Sequence, residues 1–319
     1  MRVRELGEAA LIAAFSEIYR SNAKVEIGIG DDGAVVASPY QREVITTDIA
    51  TEGVHFNRQW SSAYDIGAKI AIANLADVYA MGATPHYLTV AIASSGAEEV
   101  SYLLDIARGI ESVASAHGAS VVGGDVVAAD SLTIAITAIG GMITPVLRSG
   151  MKVGDYLYLT RGTGRSLGGL LLLSRGLVDA DSQEVKFFQR PEFHPEDLTE
   201  FGYENMAALM DVSDGLIADL GKIAEASKVC IDLDIDEGQL EYLRDFAKKL
   251  ELLPLELFLR SGEEHSFIVA VRADLQSQVP KKWIKIGQAV AGRGSQEDSG
   301  EIITMRGSKL PFTEQVWHW

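Results

Sequence analysis

Apolar residues recur every three or four positions along 63–81 (AYDIGAKIAIANLADVYAM), which predicts a helix, and Gly82-Ala83-Thr84-Pro85 supplies a stop. The same spacing predicts helices over 1–20, 98–117 and 166–175, and another after Asp214. Short apolar runs predict strands at Glu43–Asp48, Tyr87–Ala93, Ala119–Val122, Leu132–Gly140, Tyr156–Thr160, 230–235 and 266–272. Gly123-Gly124-Asp125 reads as a turn between two strands, and the proline-rich, charged stretch 188–197 reads as a loop. Pro145, Gly150 and Gly154 punctuate Thr144–Asp155, which places a domain boundary there. Helices and strands mix on both sides of it, so the pattern predicts an α/β (α+β-like) chain of two domains, 1–144 and 145–319.

Composition narrows the class. The 319 residues are 47% hydrophobic, enough for a sizeable core. No apolar run approaches the roughly 18 residues that cross a bilayer. Glu5 and Glu8 interrupt the apolar stretch near the start, which reads as an amphipathic helix and not as a leader. The single Cys230 allows neither an internal disulfide nor a thiolate zinc site; it reads as a small buried residue and suits a reducing, cytoplasmic setting. A formal charge of −17 disfavours nucleic acid and anionic membranes as partners. It would also repel phosphates unless cations were bound.

The candidate chemistry is carboxylate among glycines. No P-loop, protein-kinase set or HExxH is present. Instead the chain carries Gly28-Ile29-Gly30-Asp31-Asp32-Gly33, Thr46-Thr47-Asp48, Asn74-Leu75-Ala76-Asp77, Gly123-Gly124-Asp125 and Asp211-Val212-Ser213-Asp214-Gly215. Each alone suits a turn or a helix cap. Asp77 differs, because a carboxylate inside an apolar helix is costly unless paired or metal-bound. Adjacent Asp31 and Asp32 likewise ask for a cation. Magnesium binds through one or two carboxylates and bridges to substrate phosphates, so this many aspartates point to several Mg²⁺ ions holding an anionic substrate. Arg148 could add a planar cationic fork. His55 taken alone is ambiguous between a structural and a functional role.

GIGDDGAVV, TTDIATEGVHF, GAKIAIANLADVYAMGATP, VVGGDVV, RSGMKVGD and MDVSDGLIADL occur in that order and resemble the thiamine-monophosphate kinase family of the aminoimidazole-ribonucleotide-synthetase-like superfamily. The resemblance runs from about Glu5 to Trp319. It implies two α/β domains, with the N-terminal domains of a homodimer pairing into a shared β-barrel. It implies phosphorylation of thiamine monophosphate by ATP. By motif, Asp31, Thr46, Thr47, Asp48, Asp77, Asp125, Asp211 and Asp214 resemble magnesium positions. Gly124, Asp125, Arg148 and Ser213 resemble nucleotide contacts. His55, Glu264 and Trp319 resemble substrate contacts, the last as a stacking partner in the tail QVWHW.

The family's GGEDYEL segment is altered here to Ser261-Gly262-Glu263-Glu264-His265-Ser266-Phe267, and Val126 stands where Thr often follows GGD. Two rival readings follow from the same residues: a purine-pathway synthetase of the same superfamily, and a nucleotide-binding homologue without catalysis. EGVHF and the tryptophan-rich tail favour the kinase over the synthetase, while the altered 261–267 segment is the feature that speaks for the non-catalytic homologue.

Overall fold

The computed structural model describes residues 2–6, 8–20, 25–27, 35–36, 42–177, 182–291 and 302–311. Two units form, residues 1–79 with 83–144, and residues 80–82 with 145–319. Up to residue 144 the elements are α1 (Val3–Leu6), α2 (Glu8–Ser16), β1 (Val25–Ile27), β2 (Val35–Val36), β3 (Arg42–Thr51), α3 (Ala63–Ala80), β4 (Thr84–Ser94), α4 (Val100–Ala116), β5 (Ser120–Ala128) and β6 (Thr133–Met142). Within the predicted helix 1–20 the described helical residues are Val3–Leu6 and Glu8–Ser16, so the helix ends short of the predicted residue 20.

Strands β3, β6, β4 and β5 lie in that order in an open sheet, with β4 and β5 parallel and the other pairs antiparallel. Leu88, Val90 and Ile92 of β4 and Ile134, Ile136 and Ala138 of β6 are buried, as are the apolar stripes of α3 and α4. Val100, Leu103, Ile106, Ile110 and Ala114 form that stripe on α4 at helical spacing. The two helices cross in backbone contact: a Cβ on Gly67 would lie 2.0 Å from the Ile106 carbonyl oxygen, and one on Gly109 2.0 Å from that of Tyr64. The other face of the sheet is less covered among the described residues, with Thr137 and Ile139 of β6 half-buried. Ile45 is 68% exposed and Ile49 56%, while Thr46 and Asp48 between them are half-buried.

Gly123-Gly124-Asp125 is not a turn. It lies within β5, which continues unbroken to Ala128. Glycine pairs are poor strand formers on their own, but the parallel ladder to β4 holds them extended, with Gly124 opposite Val90.

The second unit contains β7 (Tyr156–Leu159), α5 (Arg165–Ser174), α6 (Gln183–Gln189), α7 (Glu196–Phe201), β8 (Met206–Asp211), α8 (Leu216–Ser227), β9 (Cys230–Leu233), α9 (Arg244–Lys249), α10 (Pro254–Arg260), β10 (Phe267–Val271), β11 (Ile284–Val290), β12 (Ile303–Met305) and β13 (Ser308–Lys309). Its sheet runs β13-β12-β9-β11-β7-β10-β8, antiparallel except for β12 beside β9. Every residue of β10 (FIVAV) is buried, as a continuous apolar run in a sheet covered on both faces requires. The stretch 188–197 is only partly a loop, since α6 ends at Gln189 and α7 begins at Glu196. Cys230 is half-buried and free, not fully buried as its apolar neighbours suggest. Among the described residues no helix is long and apolar enough to cross a membrane.

Candidate active site

In the first unit the TTD motif is split by the pleat of β3. Thr46 and Asp48 turn toward α3, where the Thr46 hydroxyl donates to Asp77 Oδ2 at 2.7 Å and the Asp48 amide donates to Asn74 Oδ1 at 3.2 Å. Asn74 and Asp77 lie three residues apart on α3 and so share a face. Asp77 is half-buried and paired, which meets the cost of placing a carboxylate on this helix. Asn74 is fully buried and also donates from Nδ2 to the Ile70 carbonyl, an anchoring role that its motif alone did not reveal. Thr47 is on the opposite side of β3, hydroxyl to hydroxyl with Thr137.

His55 sits in the turn that follows β3, which Gly53 permits by taking φ +85°. Its Nδ1 accepts the Thr51 amide at 3.1 Å. In the neutral ring the proton is therefore on Nε2.

Asp125 lies at the other edge of the sheet. One row of paired residues runs Asp48, Ile136, Val90, Gly124, and the next runs Ile49, Ala135, Ala91, Asp125. Three strand spacings of about 4.8 Å separate the two edges, roughly 14 Å in all. A Cβ on Gly124 would lie 1.8 Å from the Val90 carbonyl oxygen, so only glycine fits there. Asp125 is exposed, with Oδ1 accepting the adjacent Val126 amide at 2.9 Å.

In the second unit Asp211 closes β8, is buried, and lies 3.3 Å from His265 Nδ1. The loop after it is organised by a residue that sequence reasoning left unassigned. Asp219, on the first turn of α8 and 0% exposed, accepts the amides of Ser213 at 2.9 Å and Asp214 at 3.1 Å through Oδ2. Its Oδ1 accepts Lys222 Nζ at 2.7 Å, and the same ammonium reaches Asp214 Oδ2 at 2.5 Å. Burial pushes the Asp219 carboxyl up to about 6; the Asp211 and Asp214 charges add to this, while Lys222 opposes it. The signal for this role was the i, i+3 pair Asp219 and Lys222 within LIADLGK, one helical turn beyond SDG. Arg148 is exposed on a short turn whose Gly150 packs against the Ala207 carbonyl, and its own carbonyl accepts the Ser227 hydroxyl at 2.7 Å.

Glu264 is 1% exposed. Its Oε1 accepts the Gly164 amide at 2.7 Å, the Ser166 amide at 3.0 Å and the Ser261 hydroxyl, and so caps the N-terminus of α5. Burial raises its carboxyl above the usual range, while these donors and Arg165 oppose the rise. Asp31 and Trp319 lie outside the described residues.

Within the first unit, Asp48 is on edge strand β3 with Asp77 on the helix beside it, and Asp125 is on the opposite edge strand β5; Asp211 and Asp214 belong to the second unit. Among the described residues no three His, Cys, Asp or Glu side chains converge as a metal cluster. All these donors are nevertheless oxygens, the set a hard cation takes.

Both halves of the chain match models of one enzyme class: AIR synthase related protein, N-terminal domain, over residues 30–142, and AIR synthase related protein, C-terminal domain, over 152–298. Thiamine-monophosphate kinase of Mycobacterium tuberculosis is 36% identical over 299 residues, 91% of this chain and 87% of that protein. The enzyme of the same name from Corynebacterium glutamicum is 34% identical over 99% of this chain and 94% of its own. The solved structure of AaThiL complexed with AMPPCP and TMP superposes with a TM-score of 0.74 at 25% identity, covering 98% of this chain and 97% of that one. The chain belongs to the thiamine-monophosphate kinase family, a family of phosphotransferases.

Proposed function

We propose that this protein transfers the γ-phosphoryl group of ATP to the phosphate of thiamine monophosphate, giving ADP and thiamine diphosphate. The likeness over nearly the whole chain to a structure complexed with AMPPCP and TMP carries this reading. A phosphate monoester has its second pKa near about 6, so the acceptor is mostly a dianion at neutral pH and needs no general base. The remaining obstacle is repulsion between two anions. Asp31, Asp48, Asp77, Asp125, Asp211 and Asp214, with Thr46 and Thr47, would hold magnesium ions. Bound Mg²⁺ would supply charge neutralisation between donor and acceptor phosphates.

The chain's own groups position the reactants. Asp77 holds the Thr46 hydroxyl and Asn74 holds the Asp48 backbone amide, so this stretch of β3 is fixed against α3 before binding. Gly124 removes a side chain beside Asp125, and Arg148 and Ser213 contact the nucleotide in this reading. His55 offers its Nε2 proton to the acceptor, Glu264 sets the substrate side through the segment around it, and Trp319 stacks on the thiamine.

A homodimer with a shared barrel belongs to the same proposal. Ile45, Ile49 and Val127, exposed on one face of the first sheet, support it, because exposed apolar area of this kind is costly in a monomer. Among the described residues β3 and β5 are the two edges of this sheet, where closure would take place. The acidic charge fits a protein that does not bind nucleic acid, and we place it in the cytoplasm.

Incubation with ATP, Mg²⁺ and thiamine monophosphate, followed by chromatography, should yield thiamine diphosphate, and Asp48→Ala should abolish it. Absence of product, with aminoimidazole ribonucleotide formed from its precursor instead, would overturn the assignment. Nucleotide binding with no turnover of either substrate would favour a non-catalytic homologue.

A further inference from the structure

His55 stands in the turn that follows edge strand β3, and backbone bonds give that turn its shape. The His55 and Val54 amides donate to the Thr51 carbonyl at 2.9 and 3.2 Å, and the Gly53 amide donates to the Phe56 carbonyl at 2.8 Å. These bonds begin and end within 51–56, so they shape the turn without fixing it against its surroundings. The Glu52 amide adds a bond to the Leu132 carbonyl at 2.9 Å, and the buried Phe56 anchors the exit. Val54 at the tip is exposed.

Arg58, two residues past the turn, supplies a side-chain link to a different part of the unit. Its Nε and Nη2 donate to the two oxygens of the Glu52 carboxylate, a bidentate fork. Its Nη2 also lies 3.7 Å from Glu98 Oε1, and its guanidinium carbon lies 5.2 Å from the centre of the Tyr102 ring. Glu98 is buried between β4 and α4, where it accepts the Ser94 hydroxyl at 2.7 Å and the Ser95 hydroxyl at 3.0 Å. Tyr102 belongs to the first turn of α4. One planar cation therefore ties the carboxylate at the head of the His55 turn to the rigid start of α4. A lysine, with a single point charge, could not span both oxygens of Glu52 and stack on the ring as well.

We propose that Arg58 is a positioning residue for recognition of thiamine monophosphate. Its fork on Glu52 fixes the turn 52–56 against the start of α4 and so holds His55 where it meets the acceptor phosphate. This role rests on the proposed reaction, in which His55 contacts that phosphate. Displacing a binding group by about 1 Å can cost as much as about 10²-fold, so a loosened turn should be visible in kinetics.

Steady-state kinetics of the full chain, with thiamine monophosphate and ATP varied separately, test this. Arg58→Met keeps the apolar stem and removes the fork. It should raise the KM for thiamine monophosphate about tenfold and leave the KM for ATP within about twofold of the wild type. Arg58→Lys keeps a cation beside Glu98, so its fold does not hinge on an unpaired buried charge, and it should still raise the first KM at least about threefold. In a His55→Ala background neither substitution should raise it further. An equal rise in both KM values, a wild-type KM in Arg58→Lys, or the same rise with and without His55 would each overturn the proposal. Nitrogen-15 spectra of the histidine rings, assigned with His55→Ala, need no turnover. The wild-type His55 ring should hold its proton on Nε2, and Arg58→Met should exchange between tautomers; an unchanged ring signal would also overturn the proposal. A wild type that forms no thiamine diphosphate refutes the proposed reaction, and the recognition role with it, while the ring signal still decides whether Arg58 orders His55.

Discussion

Removing the Asp219 carboxylate should loosen the Ser213–Asp214 loop, and the size of the effect follows from its partners. The side chain accepts two backbone amides and one ammonium, each a hydrogen bond to a charged group. Such bonds contribute about 1.5–3 kcal/mol each. Ser213 and Asp214 are half-buried, so water takes over part of the amide bonding and the lower end applies. Asp219→Ala should therefore cost about 3–4 kcal/mol, whereas Asp219→Asn should cost little at neutral pH, because its amide oxygen still accepts the two N–H groups and no buried charge remains to be desolvated. Urea unfolding followed through Trp283, buried in the same unit, reads the stability. The cycle of Asp219→Asn with Lys222→Met isolates the ion pair, which should show coupling of about 1 kcal/mol. An unchanged unfolding midpoint for Asp219→Ala, or no coupling in the cycle, would refute this account of the loop.

The same group gives a pH test. Its folded pKa of about 6 lies above the unfolded value of 3.8, so the folded state holds the extra proton between them. Its contribution to stability is greatest below about 4, falls as the pH rises to about 6, and is flat above; Asp219→Asn should remove that slope from unfolding curves recorded across this window. Gly124→Ala should destabilise by about 3 kcal/mol or more, because the new Cβ must displace the Val90 carbonyl from 1.8 Å; a thermal midpoint equal to the wild type would contradict it. Glu264→Ala should cost about 2–4 kcal/mol by leaving the Gly164 and Ser166 amides without an acceptor, measured by denaturant unfolding. Ile45→Lys combined with Ile49→Lys should shift the proposed dimer to a folded monomer in sedimentation velocity.

Much was legible in the sequence because it was local. The period of α3, its stop after residue 81, the buried run of β10 and the order of the aspartate motifs are properties of short windows, and windows carry helical and strand periodicity directly. The altered segment 261–267 was also visible as a departure from a familiar pattern. Strand order is different in kind. That β3 and β5 are opposite edges, and that Asp48 and Asp125 therefore stand apart, depends on pairings between residues far apart in the chain. GGD looked like a turn because glycine and aspartate favour turns, until the ladder to β4 held it extended. The caps formed by Asp219 and Glu264 escaped notice for a related reason. A carboxylate's partner is set by where the fold brings backbone amides, here from five residues away in one case and from a hundred in the other. The sequence by itself determined the strongly periodic elements, the family and the oxygen-rich chemistry. Only tertiary structure decided which aspartates are buried against backbone amides and which stand at the surface, since burial and partner geometry are properties of the packed chain.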